Sequence, residues 1–170
     1  VMAMSVKDNV LMGAEFDDPE GTAERALKCA GVWDKVQSLS GGMDTVMTKE
    51  FDNDGAVLSG GEQQKIVVAR AFAQKASVKV FDEPSSALDP IAEYDLYKGI
   101  MNESKGHITL FISHRLSSVK DADDVFMLEN GTVIEQGSHK ELMAQNGKYC
   151  EMFTKQAQNY LADENYREDV

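Results

Sequence analysis

The stretch LSGGEQQKIVVAR, Leu58–Arg70, decides how the rest of the chain is read. Two glycines follow a serine, and a helix-forming run starts at once. Paired glycines cost chain entropy and let a backbone come close to a ligand. The first turn of a helix leaves amide N–H groups without partners and carries the positive end of the helix dipole. Ser59-Gly60-Gly61 is therefore read in two ways, as a plain serine N-cap or as an anion site. Residues further along the chain bear on the choice.

Downstream lies VKVFD, Val78–Asp82, a short apolar strand that runs into Asp82-Glu83-Pro84. Acidic groups at the carboxyl end of a buried strand sit where open α/β sheets bind ligands. Asp82 suits a magnesium site and Glu83 suits polarisation of an attacking water. The plainer reading is a strand that ends in helix-capping acids. Asp89, in Ser85-Ser86-Ala87-Leu88-Asp89, is placed to cap a helix that begins at Pro90. HITLFIS, His107–Ser113, is a second apolar strand of the kind buried in parallel sheets, and it ends in Ser113-His114-Arg115. His114 has the plainer reading of an ordinary strand-end histidine. Lys79 interrupts the first strand and is expected to snorkel at its start.

Before Leu58 the pattern is helical. Ser5 with Asp8 marks a short helix through Met12, and Asp18-Pro19 starts another that Gly31 stops. Trp33, Val36 and Leu39 suggest a third, and Ser40–Val57 reads as loop. The helix after Gly61 is apolar nearly all round, including Val67, and is expected to be buried. After Pro90 a helix runs to about Ser104, and a short one follows near Leu116–Asp121. DDVFMLENGTVIEQG then folds as a hairpin around Asn130-Gly131. Helices close the chain at about Ser138–Ala144 and Lys148–Tyr160, and the acidic Leu161–Val170 reads as a frayed tail. Helices first, then alternating strand and helix, is an α/β plan with a helical subdomain in front.

The 170 residues suit one compact domain, and 42% hydrophobic residues suit a globular one. A net charge of −12 argues against a nucleic-acid surface, which needs basic patches. Cys29 and Cys150 match no metal spacing and read as thiols of a reducing compartment. No apolar run reaches the length of a membrane helix, and no signal peptide opens the chain.

Each of these signals is modest by itself, but their order and spacing are specific. LSGGE, a strand ending in DE, then SALD, then a strand ending in SHR resembles the ATP-binding cassette (ABC) ATPases over nearly the whole chain. Glu129–Phe153 resembles the end of an exporter subunit, in which the ATPase follows a transmembrane domain on the same polypeptide. The resemblance implies a P-loop NTPase-like fold with a partial parallel sheet. A helical subdomain would occupy about 1–75, part of the RecA-like core about 76–160, and the acidic tail 161–170.

The resemblance also implies roles. Ser59, Gly60, Gly61 and Glu62 match the signature motif, which covers the γ-phosphate of ATP held by a second ABC ATPase domain. Asp82 matches the residue that organises Mg2+ through water, Glu83 the catalytic glutamate, Ser86 and Asp89 the D-loop, and His114 the switch histidine. Thr48–Asp54 matches, more loosely, a stretch that meets transmembrane couplers. Glu62 departs from the glutamine that is commonest at its position. The implied function is ATP hydrolysis that drives transport, at the cytoplasmic face of a cell membrane. Two other readings are a non-catalytic module that completes a partner's ATP site and a soluble ABC ATPase of DNA repair or translation.

No G-x-x-x-x-G-K-[ST] occurs in the 170 residues. The chain is expected to correspond to the carboxyl-terminal part of an ABC ATPase domain, starting after the Q-loop, and to be inactive alone. The strand leading into the P-loop would be missing from the sheet. Val80, Phe81, Leu110, Phe111 and Ile112 are therefore expected to face an incomplete core, to leave a strand edge unpaired and to drive self-association.

Overall fold

The computed structural model describes residues 1–48, 55–115 and 119–168. They form two compact units, Val1–Ile112 and Ser113–Val170. The first unit takes in both strands that precede Ser113.

The first unit starts with helix α1 (Val6–Leu11), capped by the Ser5 hydroxyl, which accepts from Asp8 N–H. Helix α2 (Pro19–Cys29) has Asp18 as N-cap and proline at its first position, where no backbone donor is lost. It ends at Ala30, and Gly31 then takes a left-handed φ of 66° that suits glycine. Helix α3 (Trp33–Gln37) and a 3₁₀ turn at Gly42–Asp44 follow.

Helix α4 (Gly60–Ala73) is the packing centre of this unit. Ile66, Val68, Ala69, Phe72 and Ala73 are buried among Val10, Ala23, Ala26 and Leu27 of α1 and α2. Val67 was expected inside with the rest of the helix, but it is 44% exposed. One side of even this apolar helix lies outside the core, and Val67 falls on it.

Strand β1 (Val78–Asp82) and strand β2 (Ile108–Ile112) pair in parallel, with Val80 opposite Leu110 and Asp82 opposite Ile112. Helix α5 (Pro90–Glu103) connects them. Among the described residues this sheet has two strands, so each strand has one neighbour. Burial therefore alternates rather than running continuously. Phe81 is buried, with its ring 5.9 Å from Phe72, and Phe111 lies 5.6 Å from Tyr97. These two phenylalanines face the helices and not an open side, contrary to expectation. Val80, Leu110 and Ile112 are 60%, 51% and 56% exposed on the other face, beside exposed Val78 and Ile108.

The second unit holds strands β3 (Val125–Glu129) and β4 (Thr132–Gly137), an antiparallel hairpin. Asn130 and Gly131 both have positive φ, 50° and 76°, as a type I′ turn demands. Helix α6 (His139–Gln145) carries a full capping box from Ser138 and Glu141. Helix α7 (Lys148–Glu168) starts on the Glu135 carboxylate, which accepts from the Lys148 and Tyr149 backbone N–H groups. It runs past Tyr160 into the stretch expected to be a tail, because no glycine or proline stops it there. The expected short helix near Leu116–Asp121 lies partly outside the described residues, and its described part, Val119–Asp121, is a turn.

Candidate functional site

Ser59 is the N-cap of α4, and its sequence neighbour three residues on completes the cap. The Ser59 hydroxyl accepts from Glu62 N–H at 3.3 Å, and the Glu62 carboxylate accepts from Ser59 N–H at 2.8 Å. Lys35 approaches the other Glu62 oxygen at 3.3 Å. Burial opposes the charge on Glu62, but the Ser59 hydrogen bonds and Lys35 outweigh it and hold the carboxyl below its ordinary range. Ser59 and Gly60 are exposed. The capped turn thus offers solvent a positive helix end, and the N–H groups of Gly60 and Gly61 have no acceptor within the helix.

Gly61 has a reason to be glycine beyond its place in the turn. A Cβ at this position would lie 3.0 Å from both the Ala87 carbonyl oxygen and the Leu88 side chain. The 82–89 segment therefore packs directly on the first turn of α4.

That segment is pinned by a residue the sequence reading did not single out. The Gln64 side-chain amide donates to the Glu83 carbonyl at 3.0 Å and to the Ser86 hydroxyl at 2.9 Å. Its oxygen accepts from Ala87 N–H at 2.9 Å. Helical spacing gave the only available signal, since Gln64 lies one turn beyond Gly60 on the face that meets the loop. A second overlooked pair ties the same loop to α5, where buried Ser85 donates to the carboxylate of buried Glu93 at 2.8 Å.

Asp82 ends β1 as an exposed carboxylate. Glu83 follows at φ 47°, a left-handed conformation that costs a non-glycine residue energy. Its backbone N–H donates to the Ile112 carbonyl at 3.0 Å, which extends the β1–β2 pairing by one bond. Asp89 caps α5 by accepting from Ile91 and Ala92 N–H, both at 3.0 Å. The Ala92 N–H bond is the main cause that holds its carboxyl low.

The first unit thus brings Ser59, Gly60, Gly61, Glu62, Asp82, Glu83, Ser86 and Asp89 into one neighbourhood. His114 belongs to the second unit, where its carbonyl accepts from the Gln156 amide at 2.7 Å. Of Thr48–Asp54, residues 49–54 lie outside the described residues. No group of three or more His, Cys, Asp or Glu side chains forms a metal cage among the described residues. Asp82 is an exposed carboxylate, a hard oxygen donor of the type that suits a hydrated Mg2+, which keeps much of its water.

Comparison with known proteins identifies the family. Residues 2–86 match the ABC transporter family model. The chain is 37% identical over 149 residues to an ATP-dependent lipid A-core flippase of Alcanivorax borkumensis, covering 88% of this chain and 25% of the relative. It is 36% identical over 149 residues to an ABC multidrug transporter of Trichophyton interdigitale, covering 87% of this chain and 11% of the relative. It also resembles the structure of a bacterial Atm1-family ABC exporter with ATP bound, at a TM-score of 0.80 and 31% identity, covering 92% of this chain and 27% of that one. The chain spans a quarter or less of these two curated relatives' length. Family match, fold and residue order agree, and the chain belongs to the ABC transporter family.

Proposed function

We propose that this chain is part of the nucleotide-binding domain of an exporter that binds and hydrolyses ATP to move a substrate across a membrane. In this reading it works at the cytoplasmic face, beside a transmembrane domain on the same polypeptide and against a second ABC ATPase domain. The observation that carries the reading is the close packing of the capped α4 turn on the Glu83–Leu88 loop, locked by Gln64.

The chain's own residues divide the work. The exposed turn at Ser59, Gly60 and Gly61 presents N–H groups to the γ-phosphate of ATP held by the partner domain, and Glu62 fixes the turn's shape. Asp82 orients water around Mg2+, and Glu83 holds the attacking water or takes its proton. Ser86 and Asp89 shape the loop that faces the partner domain. His114 serves as the switch histidine that contacts a γ-phosphate of ATP. Bound Mg2+ supplies charge neutralisation at the phosphates. The flippase and multidrug transporter names among the relatives support an exporter over a soluble ABC ATPase of DNA repair or translation.

The test is Ser59→Arg in the full-length protein. A bulky side chain at the exposed N-cap blocks the approach of a phosphate while costing the helix about 1 kcal/mol. ATP binding should persist and turnover should fall about 100-fold or more, the scale of losing a transition-state anion contact. Unchanged turnover in a folded variant contradicts the reading and leaves Ser59 as a cap alone.

A further inference from the structure

The Glu83–Leu88 loop is tied to α5 by a buried polar cluster to which the proposed chemistry gives no part. Ser85 is 1% exposed, and Glu93, in the first turn of α5, is 5% exposed. The Ser85 hydroxyl donates to Glu93 at 2.8 Å and lies 3.4 Å from the Tyr97 hydroxyl, one turn further along the helix. Tyr97 is itself buried, with its ring packed on Phe111 of β2. A carboxyl group is costly to bury, and a buried hydrogen-bonded pair can be exchanged for apolar side chains of similar shape with little loss of stability. Packing alone therefore has no need of Ser85 and Glu93. What the pair adds is direction, since a hydrogen bond fixes the place of Ser85 more narrowly than apolar contact does.

That place matters because of the residue two positions earlier. Glu83 holds a left-handed φ of 47°, and a non-glycine residue keeps such a conformation only where its surroundings over-determine it. On its amino side the chain is held by β1 and by the bond from Glu83 N–H to the Ile112 carbonyl. On its carboxyl side comes buried Pro84, whose ring fixes φ and offers no backbone donor. Ser85 is the first residue after Glu83 with a side chain able to hydrogen-bond, and it bonds to α5. Gln64 reaches the same stretch from α4 and holds the Glu83 carbonyl and exposed Ser86. Two helices thus fix the loop, α4 through Gln64 and α5 through Glu93.

We propose that Glu93, acting through Ser85, is a positioning residue for Glu83, a role that rests on the catalytic reading of Glu83 given above. Neither Ser85 nor Glu93 touches the nucleotide or the attacking water in this account. The pair holds the backbone just beyond Pro84, so that the strained Glu83 keeps its side chain where the water is to be held.

The experiment measures ATP affinity and turnover in variants of the full-length protein. Ser85→Ala and Glu93→Met should each lower kcat at least about tenfold, as a misplaced reacting group does, with ATP affinity within about twofold of the unaltered protein. Glu93→Gln keeps an oxygen that accepts from Ser85, so its kcat should stay within about threefold. Ser85→Ala combined with Glu93→Met should lose no more than about twofold beyond either alone, because both remove one interaction. Unchanged kcat in folded Ser85→Ala or Glu93→Met overturns the proposal. So does equal damage from Glu93→Gln and Glu93→Met, or a loss of affinity that matches the loss of turnover. Should Glu93→Met fail to fold, Ser85→Ala, which removes a single oxygen atom, decides the matter. Glu83→Gln measured alongside separates the two readings. Unchanged turnover there removes the catalytic reading of Glu83 and this proposal with it, whereas lost turnover there with full turnover in Ser85→Ala overturns this proposal alone.

Discussion

The Gln64 amide and the Glu83 carbonyl meet at 3.0 Å, so helix α4 holds by its backbone the residue proposed to handle the attacking water. Glu83 takes a left-handed φ, and Gln64 is one of the contacts that keep it there. The same side chain holds Ser86 and Ala87. The first turn of α4 is thus joined to the Glu83–Leu88 segment by Gln64 and by the packing of Gly61 on Ala87 and Leu88.

Gln64→Leu is expected to cost about 1–3 kcal/mol, because it leaves the Glu83 carbonyl and the Ala87 N–H without these partners. Urea unfolding of the 170-residue chain measures it. In the full-length protein turnover should fall further than stability alone accounts for, since Glu83 loses its support. A stability loss near zero would show that the loop keeps its shape without Gln64.

Glu62 gives a pH signature. Its carboxyl is held below the ordinary 4.5 in the folded chain, so its charge contributes stability above that value and loses it as pH falls through the lower one. Glu62→Gln keeps the shape and removes the charge. The variant should be less stable than the parent chain at pH 7 by under about 1 kcal/mol, the scale of a carboxylate at a helix N-terminus. That difference should vanish toward pH 3. Thermal melts across this range check the sign, and a gap that widens on acidification contradicts the assignment.

The exposed sheet face bears on assembly. Val78, Val80, Ile108, Leu110 and Ile112 form an apolar surface on a sheet whose strands each have one neighbour among the described residues. The 170-residue chain is expected to form a dimer or larger oligomer through this face at micromolar concentration, as measured by light scattering. Val80→Lys with Leu110→Lys should return it to a monomer. A cooperatively melting monomer of the unaltered chain would contradict this.

Much of this arrangement was legible in the sequence because it rests on local chemistry. Ser5, Asp18, Ser59, Asp89 and Ser138 announce their helices by capping, and Asn130-Gly131 announces its turn. What was not legible depends on tertiary neighbours. Val67 and Ile66 are equally apolar, and only packing decides which is buried. Phe81 and Val80 alternate on one strand, so the side covered by helices determines their fates. Gln64 gave no signal beyond its helical spacing, because its partners lie in a loop about twenty residues away. Lys79 looked like a strand-start lysine, but the pleat turns it inward.

ATP hydrolysis by the 170-residue chain itself should be negligible. Its sequence contains no P-loop lysine and amide cradle to anchor the β- and γ-phosphates. A release assay on the purified chain with Mg2+ and ATP should read at background. Turnover near about one per second, within the common enzyme range, would show that other residues provide the anchor.

The most direct test of the central claim is Glu83→Gln in the full-length protein, with ATP affinity and turnover measured side by side. The substitution keeps the side-chain shape and removes the charge that polarises water. ATP affinity is expected to stay within about twofold of the unaltered protein while turnover falls about 100-fold or more. Equal losses of affinity and turnover would make Glu83 a structural residue, and unchanged turnover would remove it from the chemistry altogether.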